Sequence, residues 1–183
     1  MQQKNLVRKK YYLLRKKKYY EISKYFFTPF VKLIKLKFKK KKFKLALYYP
    51  SSFEINVLKI LEFNHISYQN LLLPIIEEGN LMNFFKWEKN EVLQVNKYGM
   101  LEPIRSKKNI PDIMLVPLLV FDKNKYRIGY GKGFYDKYLN KYLKKFKNIL
   151  TVGVAFSFQK HHKLPTNNKD VKLDYILTEK GIY

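Results

Sequence analysis

Between Arg127 and Leu139 the chain reads RIGYGKGFYDKYL, with glycines at 129, 131 and 133 and an aspartate, Asp136, ahead of a helix-like run. Glycines in that alternation let the backbone approach a neighbour closely or take positive φ. A following helix would aim free N–H groups and its positive end at an anion. The stretch suits either a phosphate loop or a bend at a strand edge. It is neither a Walker loop nor the dinucleotide fingerprint, because no Gly-Lys-Ser/Thr occurs and the third glycine comes too early. A helix end contributes only about 0.3–1 kcal/mol to an exposed anion, and each charge-assisted hydrogen bond about 1.5–3. Basic side chains must therefore supply much of any phosphate affinity; Arg127 and Lys132 flank the glycines, and Lys4 or Arg8 could arrive from the N-terminus.

Asp136 has two readings, as the helix cap or as a hard oxygen ligand for phosphate-bound Mg²⁺, which uses only one or two protein carboxylates. Asp170, in a later polar loop, could be a second carboxylate at the same place. His65, His161 and His162 have no metal-ligand spacing and read as surface residues. There is no cysteine, so thiol catalysis, thiolate metal sites and disulfides are excluded. No nucleophile elbow or Ser-His-Asp order is present, which argues against covalent catalysis.

The elements that would position these residues alternate. Helix-like spacing runs from Asn5 to about Leu36, with a break or bend expected near Thr28-Pro29. A short strand at Lys42–Pro50 precedes a helix expected over Ser51–Asn64, with serines suited to capping it. A second strand spans Ser67–Ile76, and Leu81–Trp87 suits an antiparallel strand; KYGMLEP, Lys97–Pro103, is rich in turn residues. DIMLVPLLVFD, Asp112–Asp122, reads as one continuous strand covered on both faces. A helix over Asp136–Ile149, a strand at Leu150–Phe156 and a last strand at Asp174–Thr178 complete the set. This alternation implies an α/β fold: a largely parallel sheet with helices on both faces, a Rossmann-like three-layer single domain over residues 1–183, with residues 1–44 as a helical segment packed on it. Ligands of such sheets lie beyond the carboxyl ends of the strands, where the glycine loop falls.

The 183 residues carry a formal charge of +24, with 17 Lys and Arg against one Glu in the first 44. The asymmetry suggests an anionic partner, whether nucleic acid, membrane surface or a phosphorylated small molecule. Lysine greatly outnumbers arginine and KFKKKKFK, Lys37–Lys44, has no recognition pattern, so compositional drift combined with solvated helix faces is the reading favoured over a partner. The longest apolar run, IMLVPLLVF, is half a membrane span and contains Pro117, and the N-terminus lacks a secretory apolar core. A cytoplasmic protein is expected.

Taken in order, these segments resemble the 5-formyltetrahydrofolate cyclo-ligase family. PDIMLVPLLVFDKNKYRIGYGKGFYDKYL, Pro111–Leu139, is similar to that family's signature. KNLVR (Lys4–Arg8) resembles its N-terminal Lys-x-x-x-Arg, YYPSSFEINV (Tyr48–Val57) its strand-to-helix turn with a glutamate, and YGMLEP the segment before the signature. LPTNNKDVKLDYILTEKG (Leu164–Gly181) is similar to its C-terminal pattern. Val57 stands where a threonine is common in the family, and Lys132 where many members have glycine.

The resemblance implies ATP- and Mg²⁺-dependent conversion of 5-formyltetrahydrofolate to 5,10-methenyltetrahydrofolate, with ADP and phosphate released. The formyl oxygen would be phosphorylated and N10 would close the ring. ATP would be bound by Lys4, Asn5, Leu6, Val7 and Arg8, and by Arg127, Ile128, Gly129, Tyr130, Gly131, Lys132, Gly133, Phe134 and Tyr135. The folate would meet Tyr49, Glu54, Tyr130, Gly131, Lys132, Gly133 and Phe134. Arg127, Lys132 and Tyr135 would act in catalysis, and Asp136 and Asp170 would hold Mg²⁺. A monomer with a small-molecule substrate, and no obligate nucleic-acid or membrane partner, is expected. A basic RNA-binding protein on the same fold, without the chemistry, is the alternative that the N-terminal charge and interleaved aromatics support.

Overall fold

The computed structural model describes residues 2–39, 42–63, 68–146 and 148–183. The expected surface position of His65 lies outside them. The helices are α1 (Gln2–Lys18), α2 (Thr28–Phe38) and α3 (Phe134–Tyr142). The strands are β1 (Phe43–Ala46), β2 (Tyr68–Glu77), β3 (Leu81–Trp87), β4 (Leu93–Val95), β5 (Leu101–Pro103), β6 (Lys108–Asn109) and β7 (Ile113–Pro117). After them come β8 (Val120–Asp122), β9 (Arg127–Ile128), β10 (Leu150–Val154), β11 (Lys160–His161), β12 (Tyr175–Thr178) and β13 (Gly181–Ile182).

The main sheet has the order β13-β12-β10-β7-β1-β2-β3-β6. Its five central strands, β12 to β2, pair in parallel, and antiparallel strands close both edges. Strand residues alternate between faces, and both faces here are apolar. Leu45, Leu71, Leu73, Ile113, Leu115 and Val152 pack with Phe30 and Ile34 of α2. Ala46, Leu72, Met114, Val116 and Ile176 pack with Tyr138 and Leu139 of α3. A sheet buried on both sides is what the continuous apolar strands require. The fold is α/β with a large, mostly parallel sheet and helices on both faces, as the alternation implied.

Four expectations are corrected locally. The single strand expected over Asp112–Asp122 is two: β7 ends at Pro117, which has no N–H for the ladder, and β8 pairs with β9 and β11 in a separate three-stranded sheet. Tyr11 of α1 packs on this sheet with Val120, Ile128 and Leu164. The helix expected from Ser51 is only a six-residue 3-10 run, Val57–Glu62, capped by Asn56 instead of serine. Ser52 and Phe53 take left-handed φ of 49° and 64°, and the Ser51 N–H donates to Glu54 Oε2 at 2.9 Å, so the chain is committed to a turn before a helix can start. The N-terminal helices part at Tyr19–Ser23, followed by a 3-10 turn over Lys24–Phe27, and not at Thr28-Pro29: Pro29 sits in the first turn of α2, where its missing N–H costs no intrahelical bond. α3 also starts two residues before Asp136 and ends at Tyr142, ahead of the lysine-rich continuation. Among the described residues no helix is long and apolar enough to cross a membrane.

Gly153, in the middle of β10, shows how tightly the sheet and its cover meet. A Cβ there would lie 2.7 Å from Ile176 Cδ1 and 2.8 Å from side-chain carbons of Leu118 and Leu173. Gly153→Ala is expected to destabilise the protein by about 1–3 kcal/mol through overpacking, read as a lowered urea midpoint with an unchanged slope.

Candidate active site

A cavity of about 950 Å³ opens where β1, β2 and β7 end, lined by Tyr48, Tyr49, Pro74, Ile76 and Pro117 from those ends. The glycine loop forms one wall, α1 reaches over it with Lys4 and Arg8, and Asn167 to Asp170 close another side. Every site residue expected from Tyr49 onward lines this cavity: Tyr49, Glu54, Arg127 through Asp136, and Asp170. From the N-terminal stretch only Lys4 and Arg8 do. They are four apart, hence on one helical face, whereas Leu6 is 69% exposed, Val7 packs into the cluster around Tyr11, and Asn5 reaches the site only by accepting from Arg8 Nη1 at 2.6 Å. Helical periodicity thus brings two of the five expected ATP-binding residues of this stretch to the cavity.

The loop is shaped by two left-handed glycines, Gly131 at φ 104° and Gly133 at φ 71°. Gly133 is the cap of α3, so Asp136 is the third helical residue, and its reading as the cap falls. With glycine at the cap, no side chain there takes up the first N–H groups of α3. Arg8 lies across the loop, donating Nε to the Gly129 carbonyl at 2.9 Å.

Arg127 is buried. Its Nη2 pairs with Asp136 Oδ1 at 3.1 Å and its Nη1 donates to the Val171 carbonyl at 3.0 Å. Burial depresses its proton affinity, Asp136 opposes that, and the guanidinium stays charged. Asp136 also accepts from the Val171 N–H at 3.2 Å, again on Oδ1; among the described residues Oδ2 has no partner. Asp170 takes Lys4 Nζ at 2.7 and 2.5 Å and the Asn167 N–H at 2.6 Å. The two carboxylates, 34 positions apart in the chain, thus line one cavity with a cation beside each. A pair of carboxylates, one with a free oxygen, fits Mg²⁺, which takes one or two such ligands and keeps water for the rest. Among the described residues no cluster of three or more His, Cys, Asp or Glu competes for a metal.

On the other side, Tyr135 has a buried hydroxyl with no hydrogen-bond partner among the described residues. Burial, then the charge of Glu54, push its titration far up, so it is a neutral donor. A buried, unpaired hydroxyl in a cavity wall calls for a ligand acceptor. Glu54 is itself buried, and desolvation raises its pKa although the Ser51 N–H and Arg15 oppose this. A carboxyl whose folded pKa is raised contributes stability that is present below its ordinary value of 4.5 and lost as pH rises through the folded value. Glu54→Gln is therefore expected to flatten the fall in unfolding free energy as pH rises from 4.5 upward, measured by urea titration from pH 4 to 8.

Several cavity residues carried no expectation. Tyr98 packs on Phe134, with ring centres 5.7 Å apart, and under Lys132 Nζ at 5.8 Å, and with Met82, Ile76 and Leu101 it makes the apolar wall. Arg15, on the same helical stripe as Lys4, Arg8 and Tyr11, is buried behind the cavity. That stripe of spacing 4, 3 and 4 is the signal that could have found it. Neither of the two described histidines lines the cavity: His161 Nδ1 meets the Tyr11 hydroxyl at 3.1 Å, beside the small sheet.

Fold and cleft define an α/β protein with a cavity at the carboxyl edge of a parallel sheet, between a glycine loop and an apolar aromatic wall, the place where sheets of this kind take ligands. The sequence profile of the 5-formyltetrahydrofolate cyclo-ligase family matches residues 3–179. The 5-formyltetrahydrofolate cyclo-ligase of Haemophilus influenzae is 30% identical over 140 residues, covering 73% of this chain and 74% of that one. The Mycoplasma genitalium enzyme of the same name is 33% identical, over 73% of this chain and 70% of its own. The NMR structure of Aquifex aeolicus 5,10-methenyltetrahydrofolate synthetase superposes with a TM-score of 0.73 at 32% identity, covering 98% and 91% of the two chains. The synthetase from Mycoplasma pneumoniae gives 0.69 at 28%, over 95% and 97%. The chain belongs to the 5-formyltetrahydrofolate cyclo-ligase family.

Proposed function

We propose that the protein converts 5-formyltetrahydrofolate to 5,10-methenyltetrahydrofolate with ATP and Mg²⁺, releasing ADP and phosphate, as one cytoplasmic, monomeric domain over residues 1–183. The observation that carries this reading is the meeting in one cavity of two chemically different halves. One half, made of Lys4, Arg8, the glycine loop, Asp136 and Asp170, is built for a polyphosphate and its metal. The other, made of Tyr49, Glu54, Tyr130, Phe134 and the wall around Tyr98, suits a flat, hydrogen-bonding ring. Bound MgATP supplies the phosphoryl group that activates the formyl oxygen.

The chain's own residues have the tasks such a transfer leaves to a protein, positioning and charge neutralisation. Asp136 and Asp170 would hold the metal, which would neutralise phosphate charge there, and Lys4, which pairs with Asp170 in this structure, would add a cation beside the phosphates. Arg8, Lys132 and the N–H groups of Phe134 and Tyr135 bind phosphate oxygens. Buried Arg127 orients Asp136, and the neutral Tyr135 hydroxyl donates to an oxygen of the reacting group. Glu54 and Tyr49 hold the folate so that N10 lies within reach of the activated carbon.

The test is growth of the methenyl absorbance from 5-formyltetrahydrofolate, run beside ATP alone as a measure of idle hydrolysis. Absorbance that requires both ATP and Mg²⁺ is expected. Folded protein that binds ATP but gives no methenyl product would reject the substrate assignment.

A further inference from the structure

Arg15 is a guanidinium only 2% exposed, reached by neither the solvent nor the cavity. Its Nη1 donates to the Leu118 carbonyl at 3.1 Å and its Nη2 to the Ser52 carbonyl at 2.8 Å. Nη2 also donates to the Tyr130 hydroxyl, and the guanidinium lies 5.5 Å from the centre of that ring. One side chain of α1 thus ties together the chain leaving β7, the left-handed turn that presents Glu54, and the middle of the glycine loop. Burying a charge is costly unless it is compensated, and the compensation comes from these acceptors and from Glu54, on which Arg15 acts electrostatically. A planar fork with five donors can serve three acceptors on separate segments; a lysine ammonium has the charge without that geometry.

We propose that Arg15 is a positioning residue for the folate side of the cavity, holding Tyr130 and the Ser51–Glu54 turn in the spacing that a ring-bearing substrate meets. The inference rests on the folate reading above. It divides the labour of α1: Lys4 and Arg8 serve the phosphate half, and Arg15, about two turns beyond Arg8 on the same stripe, serves the other half through residues it holds and not by touching the substrate. Preorganisation of this kind shows in substrate affinity, because an unanchored Tyr130 must be ordered when the ligand binds.

Arg15→Lys keeps the charge and removes the fork. It is expected to raise KM for 5-formyltetrahydrofolate about tenfold, which corresponds to about 1.4 kcal/mol. KM for ATP should stay within about twofold by the same reasoning, since the contacts of Lys4 and Arg8 remain. Arg15→Met, should it fold, is expected to move the same parameter further. Wild-type KM values in Arg15→Lys, or equal rises for both substrates, would overturn the proposal, the second by showing that α1 shifts as a whole. An independent readout separates this from the function itself. In protein labelled with ¹³C-tyrosine, the Tyr130 ring signal, assigned with Tyr130→Phe, is expected to move in Arg15→Lys whether or not the protein turns over. An unmoved signal rejects the anchoring of Tyr130. A moved signal in a protein that binds no folate by calorimetry leaves the anchoring standing and rejects both the folate reading and the substrate role built on it.

Discussion

Asp136→Ala is expected to lose roughly 100- to 1000-fold in Mg²⁺-supported turnover, the scale for removing one preorganised group at a site of developing charge. It is also expected to weaken the fold, because Asp136 is the carboxylate paired with the buried Arg127. Removing one partner of a buried pair costs about 3–5 kcal/mol; the side chain of Asp136 is 28% exposed, so the cost belongs at or below the lower end of that range. The two effects separate with Asp136→Asn. The amide keeps an oxygen for the Val171 N–H and for Arg127, and most of the stability should survive. It lacks the charge a hard cation needs, so turnover should fall nearly as far as in the alanine variant and be partly recovered by raised Mg²⁺. Initial rates over a Mg²⁺ series, beside urea midpoints, make the comparison. An alanine variant with wild-type rate and Mg²⁺ dependence would remove Asp136 from the metal and leave it as the partner of Arg127 alone.

The pairing of Asp136 with Asp170 shows what could and could not be read from the chain. Neither residue has metal-ligand spacing. On spacing alone Asp136 reads as a cap sooner than as a ligand, and only the resemblance of the whole segment assigns it to the metal. The cap reading failed because Gly133 can adopt the left-handed φ of 71° that lets the helix start two residues sooner. Asp136 lies in the first turn of α3 and Asp170 in a loop, both lining the cavity at the same sheet edge, and that proximity follows from parallel topology, which no local spacing encodes.

Patterns set by burial were legible, and patterns set by a turn were not. The apolar runs of β2, β7 and β10 and the alternation of strands and helices gave the parallel sheet, because coverage of both faces leaves a continuous mark. The split at Pro117 was visible as a proline but masked by the apolar residues after it, which are buried in a different sheet. The turn at Ser52 and Phe53 had no such mark: neither residue type favours positive φ, and the turn is held by a side chain, Glu54, whose burial is decided by the fold. Arg15 escaped for a related reason. In a stretch with 17 basic residues, the one that turns inward differs from its neighbours only in its place on the helical stripe.

Gly131→Ala is expected to raise KM for ATP by about 10- to 100-fold, and the argument starts from the backbone. At φ 104° an L residue is strained whatever the space around it, which costs about 1–3 kcal/mol. A Cβ there would also meet Arg8, at 3.2 Å from Cζ and 3.4 Å from Nε. Arg8 cannot swing aside freely, since Nε holds the Gly129 carbonyl and Nη1 holds Asn5 Oδ1. Loss of one hydrogen bond to a charged group is worth about 1.5–3 kcal/mol, and each 1.4 kcal/mol is tenfold in affinity. Gly129→Ala supplies the contrast: its φ is ordinary and a Cβ there has no protein atom within 4 Å among the described residues. Its thermal stability should be that of the wild type, so any rise in KM at that position would report close approach of the ligand itself. Equal stability and equal KM for the two variants would mean that Arg8 does not depend on the loop, and that the bare backbone at Gly131 serves the turn alone.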